Sequence, residues 1–459
     1  MTTGNDSREP ARDARRALRE GPAGIARRQR ARMAELVAYA RARSPYYREL
    51  YRGLPEEVED PAVLPVTGKK ELMGRFDDWV TDRRVTLEGV EAFVADPELV
   101  GRRFLDRYLV VTTSGTSGLR GLFVQDERNL AVHLAVGMRN RDVLGFGALV
   151  RVLARAGRTA IVTAPGGHFA TVAGPARFRL ERPRLGRMMR VFSIHQSMAE
   201  LVEELNAYDP ATLTGFVSTL TLLAGEQEAG RLRIRPAVVI PGGETLTPQA
   251  RERIAAAFQA RVRAAYAASE CGFLTFGCAR GWYHVNGDWA VLEPVDAAHR
   301  PVPPGEQSHT VLISNLANRV QPILRYDLGD GVLMRPDPCP CGSPLPAVRV
   351  QGRVAELLSF PSVRGGDVGI FPMAFGSVLD VPGLQQYQLV QTAPATLRVR
   401  LRPADGADTD RVWQAVRGNL ARLLGEHEAG GVRLERAEEP PQRSPGGKYR
   451  RIIPLAAGR

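Results

Sequence analysis

Residues 237–270 read AVVIPGGETLTPQARERIAAAFQARVRAAYAASE, and their rhythm decides the fold class. Ala237-Val238-Val239-Ile240 is a short, β-branched apolar run, which reads as a buried strand. Pro241-Gly242-Gly243-Glu244 turns the chain. Residues 247–260 read as a helix, with Thr247 as N-cap and Pro248 at the first helical position. Residues 261–267 read as the next strand. A strand, a helix and a strand in succession imply a parallel sheet.

The same alternation extends upstream. Residues 109–113, 160–163 and 213–216 read as strands. Residues 24–43, 85–99, 127–145 and 197–208 read as helices, the first ended by Ser44-Pro45. Residues 1–20 are polar and read as frayed. From about 285 to 335 the pattern is mainly β. Residues 387–402 suggest a hairpin around Ala393-Pro394-Ala395, followed by a helix over 409–425 and a strand over 432–436. The expected architecture is α/β: a large N-terminal domain, 1–352, with parallel and mixed sheets flanked by helices, and a small mobile α+β domain, 353–459.

The chain has 459 residues, of which 44% are hydrophobic and 24% charged. Such values fit an ordinary globular protein and exclude a disordered chain, a collagen or a coiled-coil rod. No apolar run approaches the roughly 20 residues that span a bilayer. The polar N-terminus has no signal-peptide core, so a cytoplasmic location and no membrane partner are expected. The net charge is +12. A nucleic-acid partner is not expected from it, because the arginines are dispersed among acids rather than clustered. Lysine stands only at Lys69, Lys70 and Lys448, so a lysine inside a motif is informative.

Six short motifs could carry chemistry. Thr113-Ser114-Gly115-Thr116-Ser117-Gly118 follows a strand, and its small residues, hydroxyls and amides suit a phosphate. It lacks the Walker spacing. Gly242-Gly243-Glu244 lies between strand and helix. Tyr266-Ala267-Ala268-Ser269-Glu270 and Arg325-Tyr326-Asp327-Leu328-Gly329-Asp330 follow. Gly352-Arg353 sits at the expected domain boundary. Arg443-Ser444-Pro445-Gly446-Gly447-Lys448-Tyr449 closes the series. Each alone is weak, and their order is the stronger signal.

In that order the chain resembles the adenylate-forming, acyl-CoA synthetase superfamily, in its phenylacetate-CoA ligase-like branch. Residues 40–50 (ARARSPYYREL), Leu64-Pro65-Val66-Thr67-Gly68-Lys69 and the Gln385, Tyr387, Gln388 cluster resemble further landmarks of that branch. The resemblance implies an AMP-forming ligase that uses ATP and magnesium. Thr113, Ser114, Gly115, Thr116, Ser117 and Gly118 would hold the β- and γ-phosphates, and Glu270 and Ser269 would lie beside them, with Glu270 on magnesium. Tyr266, Gly242, Gly243 and Glu244 would form the adenine site. Asp330 would take the ribose hydroxyls. Arg353 would act at the hinge, and Lys448 would bridge the acid and the α-phosphate. His168, Phe169, Phe216, Ser218 and Ala267 would form the acid pocket. Lys69 and Lys70 read as solvated.

The family default is transfer of the acyl group to CoA. Three departures keep other acceptors open. Leu119-Arg120 stands where many relatives carry lysine. Ala267 replaces a frequent glycine. Val354-Ala355-Glu356 carries one acid where a hinge pair is usual. An aromatic acid joined to CoA, an amine or a carrier-protein thiol, nitrite activated for attack by an aryl amine, and a non-catalytic nucleotide-binding protein stay open as readings. So does a homodimer.

Cys278, His284, Cys339 and Cys341 offer three sulfurs and an imidazole, the donor set of tetrahedral zinc. Cys339-Pro340-Cys341-Gly342 is a tight turn that can present two thiolates. The pattern also resembles a zinc-bearing subgroup of the same branch, which implies a structural ion. Cys271 reads as a packing residue.

Overall fold

The computed structural model describes residues 8–113, 120–137, 139, 146–163, 167–379, 381–443 and 449–455. A five-stranded parallel sheet forms the middle of the large domain. Its order is Met189–Ser193, Thr159–Thr163, Thr212–Phe216, Val238–Gly242, Arg261–Val262. The helices Ala170–Glu181, Met198–Tyr208, Val217–Glu228 and Pro248–Phe258 make the crossovers. Strand order reverses between Thr159–Thr163 and Thr212–Phe216, so a crevice opens at the carboxyl ends of those strands.

Local chemistry accounts for these boundaries. Ser197 and Glu200 form a reciprocal capping box at the start of Met198–Tyr208, which satisfies two orphan amides. Thr247 accepts from Ala250 N at 3.2 Å, with Pro248 at the helix start. The strand expected over 261–267 pairs only at Arg261–Val262. Beyond it the chain leaves the sheet and carries Tyr266 toward the crevice.

Antiparallel sheets complete the large domain. Ala290–Val295, Thr310–Asn315 and Ile323–Asp327 form one; Asp330–Met334, Ala347–Arg353, Tyr283–Val285 and Thr275–Gly277 form another. The N-terminus differs from expectation. Arg8–Arg19 is a helix, not a frayed tail. Ala14 and Ala17 are buried, Arg139 donates to Ala14 O at 3.0 Å, and Asp13 pairs with Arg28 and Arg32. A polar sequence hid two small contact residues.

A separate apolar core begins at Leu358 and runs to Ile452. The helix Thr409–Glu426 lays Val412, Val416, Leu420, Leu423 and Leu424 onto a sheet ordered Arg433–Arg436, Thr396–Pro403, Leu384–Ala393, Ile452–Ile453. Each such buried side chain contributes roughly 1.5–3 kcal/mol. Gly352 precedes this unit with φ +131°, and a Cβ there would lie 2.8 Å from the Pro372 ring. Only glycine fits that junction. Among the described residues no helix is long and apolar enough to cross a membrane.

Candidate functional site

The crevice is a cavity of about 2170 Å³ lined from both units. The strand ends contribute Thr163, Phe216 and Gly242; the segment after the parallel sheet contributes Tyr266, Ala267, Ser269 and Glu270. The antiparallel hairpin adds Asp330 and Arg353, and the small unit adds Tyr387, Tyr449 and Arg450. Thr113, Phe169, Gly243 and Glu244 line it as well.

Glu270 is buried, and its Oε1 accepts from the Tyr326 hydroxyl at 2.9 Å. Burial raises its pKa, opposed by that hydrogen bond and by the charges of Lys69 and Arg353. Tyr326 reaches it from Ile323–Asp327, next to Arg325, a non-glycine residue at φ +47°. Arg325 Nη1 donates to Leu64 O at 2.6 Å and to Ala62 O at 2.9 Å, which holds this unfavourable backbone in place.

Asp330 and Arg353 are register partners at the open end of their hairpin. The Tyr266 hydroxyl donates to Asp330 Oδ2 at 2.8 Å, and Arg353 Nε lies 3.4 Å from Oδ1. Tyr266 has its pKa raised by burial and then by the Asp330 charge, so it stays a neutral donor. Gly243 has φ +73°, and a Cβ there would lie 2.8 Å from the Phe216 ring. This glycine lets the turn close over the aromatic wall.

Lys69 is in the site, contrary to its reading as solvated. Thr67 docks beside Tyr326 in a parallel bridge, with Thr67 N donating to Arg325 O at 3.0 Å. Two residues on, Lys69 Nζ donates to Thr113 Oγ1 at 3.0 Å. Burial lowers its pKa and Glu270 opposes that. Lys70 is exposed. The scarcity of lysine was the signal available for Lys69. His133 was also missed. It lines the cavity, edge-on to Phe273 at 6.4 Å.

Two expected pocket residues face elsewhere. His168 is buried, its ring 5.2 Å from that of Phe93 and its Nε2 3.5 Å from Asp96 O. It completes the apolar packing behind the strand rather than the cavity wall. Ser218 is buried at the start of Val217–Glu228, where its amide and hydroxyl bind Glu244 at 2.7 and 3.0 Å. Phe169, Phe216 and Ala267 do line the cavity. Ser114, Gly115, Thr116, Ser117, Gly118 and Lys448 lie outside the described residues.

Cys278, His284, Cys339 and Cys341 converge, their donor atoms all within 4.8 Å of one another. Cys278 Sγ is 3.9 Å from Cys339 Sγ, and Cys341 Sγ is 3.1 Å from His284 Nε2. The 3.9 Å between Cys278 Sγ and Cys339 Sγ is close to the edge, about 3.8 Å, of a tetrahedron with metal–sulfur bonds of about 2.3 Å. His284 Nδ1 lies 3.0 Å from Leu345 O, an arrangement that leaves Nε2 free as a ligand. The cluster ties the strands Thr275–Gly277 and Tyr283–Val285 to the turn of the hairpin whose other end carries Asp330 and Arg353. Cys271 is buried in the main core.

No family model matches the chain. Its overall fold is similar to that of 2-hydroxyisobutyryl-CoA ligase in the postadenylation state with 2-HIB-AMP. That likeness has a TM-score of 0.66 at 20% identity, covering 94% of this chain and 89% of the other. With the same ligase in the thioesterification state, bound to 2-HIB-AMP and CoA, the TM-score is 0.52 at 20% identity. Those alignments cover 95% of this chain and 90% of the other. Protein CapK of Staphylococcus aureus is 26% identical over 139 residues, 30% of this chain and 29% of CapK. The chain therefore spans under a third of the length of that curated relative.

Proposed function

We propose that the protein is an AMP-forming ligase of the phenylacetate-CoA ligase type. It activates an aromatic acid with ATP and passes the acyl group to an acceptor, with CoA as the first choice. The observation that carries this reading is the convergence on one cavity of Glu270, Asp330, Arg353, Lys69 and the root of the phosphate loop at Thr113. Phe169 and Phe216 on the wall support a ring-bearing acid. At equal sequence identity, the higher score with the postadenylation state supports an arrangement of the two units suited to the first half-reaction.

The acid's carboxylate would attack the α-phosphorus of ATP, forming a C(O)–O–P bond, and pyrophosphate would leave. The acceptor would then attack the acyl carbon and release AMP. Positioning and charge neutralisation dominate such a step. Lys69 would face the phosphates from beside Thr113. Asp330 would exchange the Tyr266 hydroxyl for ribose hydroxyls. Lys448 would serve as the mobile cation; its chain neighbour Tyr449 already lines the cavity.

Glu270 borders the cavity as a hard oxygen donor and fits magnesium, which when bound neutralises phosphate charge. Zinc at Cys278, His284, Cys339 and Cys341 would be structural, since all four positions would be filled by protein. Four thiols without a disulfide support a reducing, cytoplasmic setting. The test is pyrophosphate release from ATP against aryl, arylacetic and aliphatic acids, with and without CoA. An acid-dependent signal supports adenylation, and silence with every acid overturns it.

A further inference from the structure

The helix Glu127–Gly137 buries Val132 and Val136 in the main core. Asn129 and His133, one turn apart, share another face of it. Asn129 is tied to the segment after the parallel sheet: Asn315 Nδ2 donates to Asn129 Oδ1 at 3.0 Å and to Glu270 O at 2.9 Å. His133 meets the same segment two residues further on. A Cβ at Gly272 would lie 3.0 Å from the His133 Cε1 and Nδ1, so the imidazole rests where Gly272 leaves room for it.

His133 keeps exposed surface, and it lines the cavity together with Gly272, Ala267 and Ala268. The protein around the ring still desolvates it, and that burial lowers its pKa. The imidazole is therefore neutral at neutral pH, with one N–H donor and one acceptor nitrogen. Among the described residues neither nitrogen has a hydrogen-bond partner. A desolvated polar group without a partner is costly. In a pocket with aromatic walls, a few such groups fix a ligand's orientation.

We propose that His133 is a specificity-determining residue of the acid pocket, and that the acid it selects is a hydroxylated aromatic acid. This rests on the adenylating function proposed above and narrows its substrate class. One helical turn, about 6 Å, separates His133 from the residue that anchors Glu270. An aromatic acid with its carboxylate beside the phosphates spans a comparable length, so its far edge reaches the imidazole. A ring hydroxyl both donates and accepts, and it pairs with whichever nitrogen faces it. Phe169 and Phe216 offer faces for the ring itself.

The test pairs acids that differ by a ring hydroxyl: benzoic and phenylacetic acids against their meta- and para-hydroxy forms. In acid-dependent ATP–pyrophosphate exchange the wild type should favour the best hydroxylated acid over its parent by about 10- to 100-fold in kcat/KM. His133→Phe keeps an aromatic ring and should collapse that ratio to within about threefold, through KM for the acid more than KM for ATP. His133→Gln, which restores a donor and an acceptor, should recover part of the preference. Calorimetric titration with the same acids reads the ratio as Kd and needs no turnover. A wild type that does not distinguish the pairs, or a preference that survives in His133→Phe, overturns the proposal. Exchange that is silent with every acid overturns the adenylating reading instead. The titrations then judge His133 alone: equal Kd values within each pair, or no binding of any hydroxylated acid, overturn its role.

Discussion

Lys69 Nζ donates to Thr113 Oγ1 at 3.0 Å, joining an N-terminal helix start to the residue that precedes the segment 114–118, proposed above to hold the phosphates. The loop has Leu119-Arg120 where a lysine is usual in the family it resembles. Lys69 puts an ammonium beside Thr113 from another part of the chain. Lys69→Ala is predicted to lower kcat/KM for ATP about 10- to 100-fold, the worth of a charge-assisted contact. Lys70→Ala, which removes a cation exposed on the same cavity, should cost less than Lys69→Ala. Steady-state kinetics at varied ATP check this pair.

Tyr266 and Asp330 share a 2.8 Å hydrogen bond on the cavity wall. Asp330→Asn should weaken nucleotide binding at least tenfold, through loss of a charged acceptor for ribose. Tyr266→Phe should keep the ring and leave Asp330 Oδ2 without this donor, at a cost of about 1–3 kcal/mol to stability. Isothermal titration with ATP and thermal melting separate the two effects.

The four-donor cluster predicts about one zinc per chain in protein purified without added metal. Replacing Cys339 and Cys341 by serine should remove the metal and lower the Tm by roughly 10 °C, since binding energy here is folding energy. Elemental analysis and calorimetry check both. The site sits at the far end of the Asp330–Arg353 hairpin, so ATP affinity should also weaken in the variant.

Gly352 is predicted to tolerate no side chain. Gly352→Ala meets the Pro372 ring and an unfavourable φ together, a strain of about 1–3 kcal/mol. Limited proteolysis across residues 353–358 should accelerate in the variant, while the melting of the large domain changes little.

Much of this was legible in the sequence, where local chemistry and fold agree. Thr247-Pro248 marked a helix start, the runs at 160–163, 213–216, 237–240 and 261–267 marked four of the five parallel strands but not Met189–Ser193, the run at 109–113 pairs antiparallel instead, and Cys339-Pro340-Cys341 marked a turn with two sulfurs. Legibility ended where a residue's meaning depends on distant partners. Lys69 looked solvated because Thr67 docks on a strand more than 250 positions later. His168 looked like pocket lining because its burial against Phe93 is a tertiary fact. The helix Arg8–Arg19 was hidden because only Ala14 and Ala17 carry its contact. Glu244 was placed near the adenine by motif, but its hydrogen bonds to Ser218 and Tyr449 exist only in the folded chain.

The most direct measurement of the central claim follows oxygen. With the best acid of the panel labelled with oxygen-18 in its carboxylate, ATP and an acceptor are added and the AMP is analysed by mass spectrometry. If the carboxylate attacks the α-phosphorus, one labelled oxygen bridges carbon and phosphorus and leaves with AMP when the acceptor attacks carbon. The account predicts AMP carrying one label per turnover. Unlabelled AMP, or ADP and phosphate in its place, would contradict it.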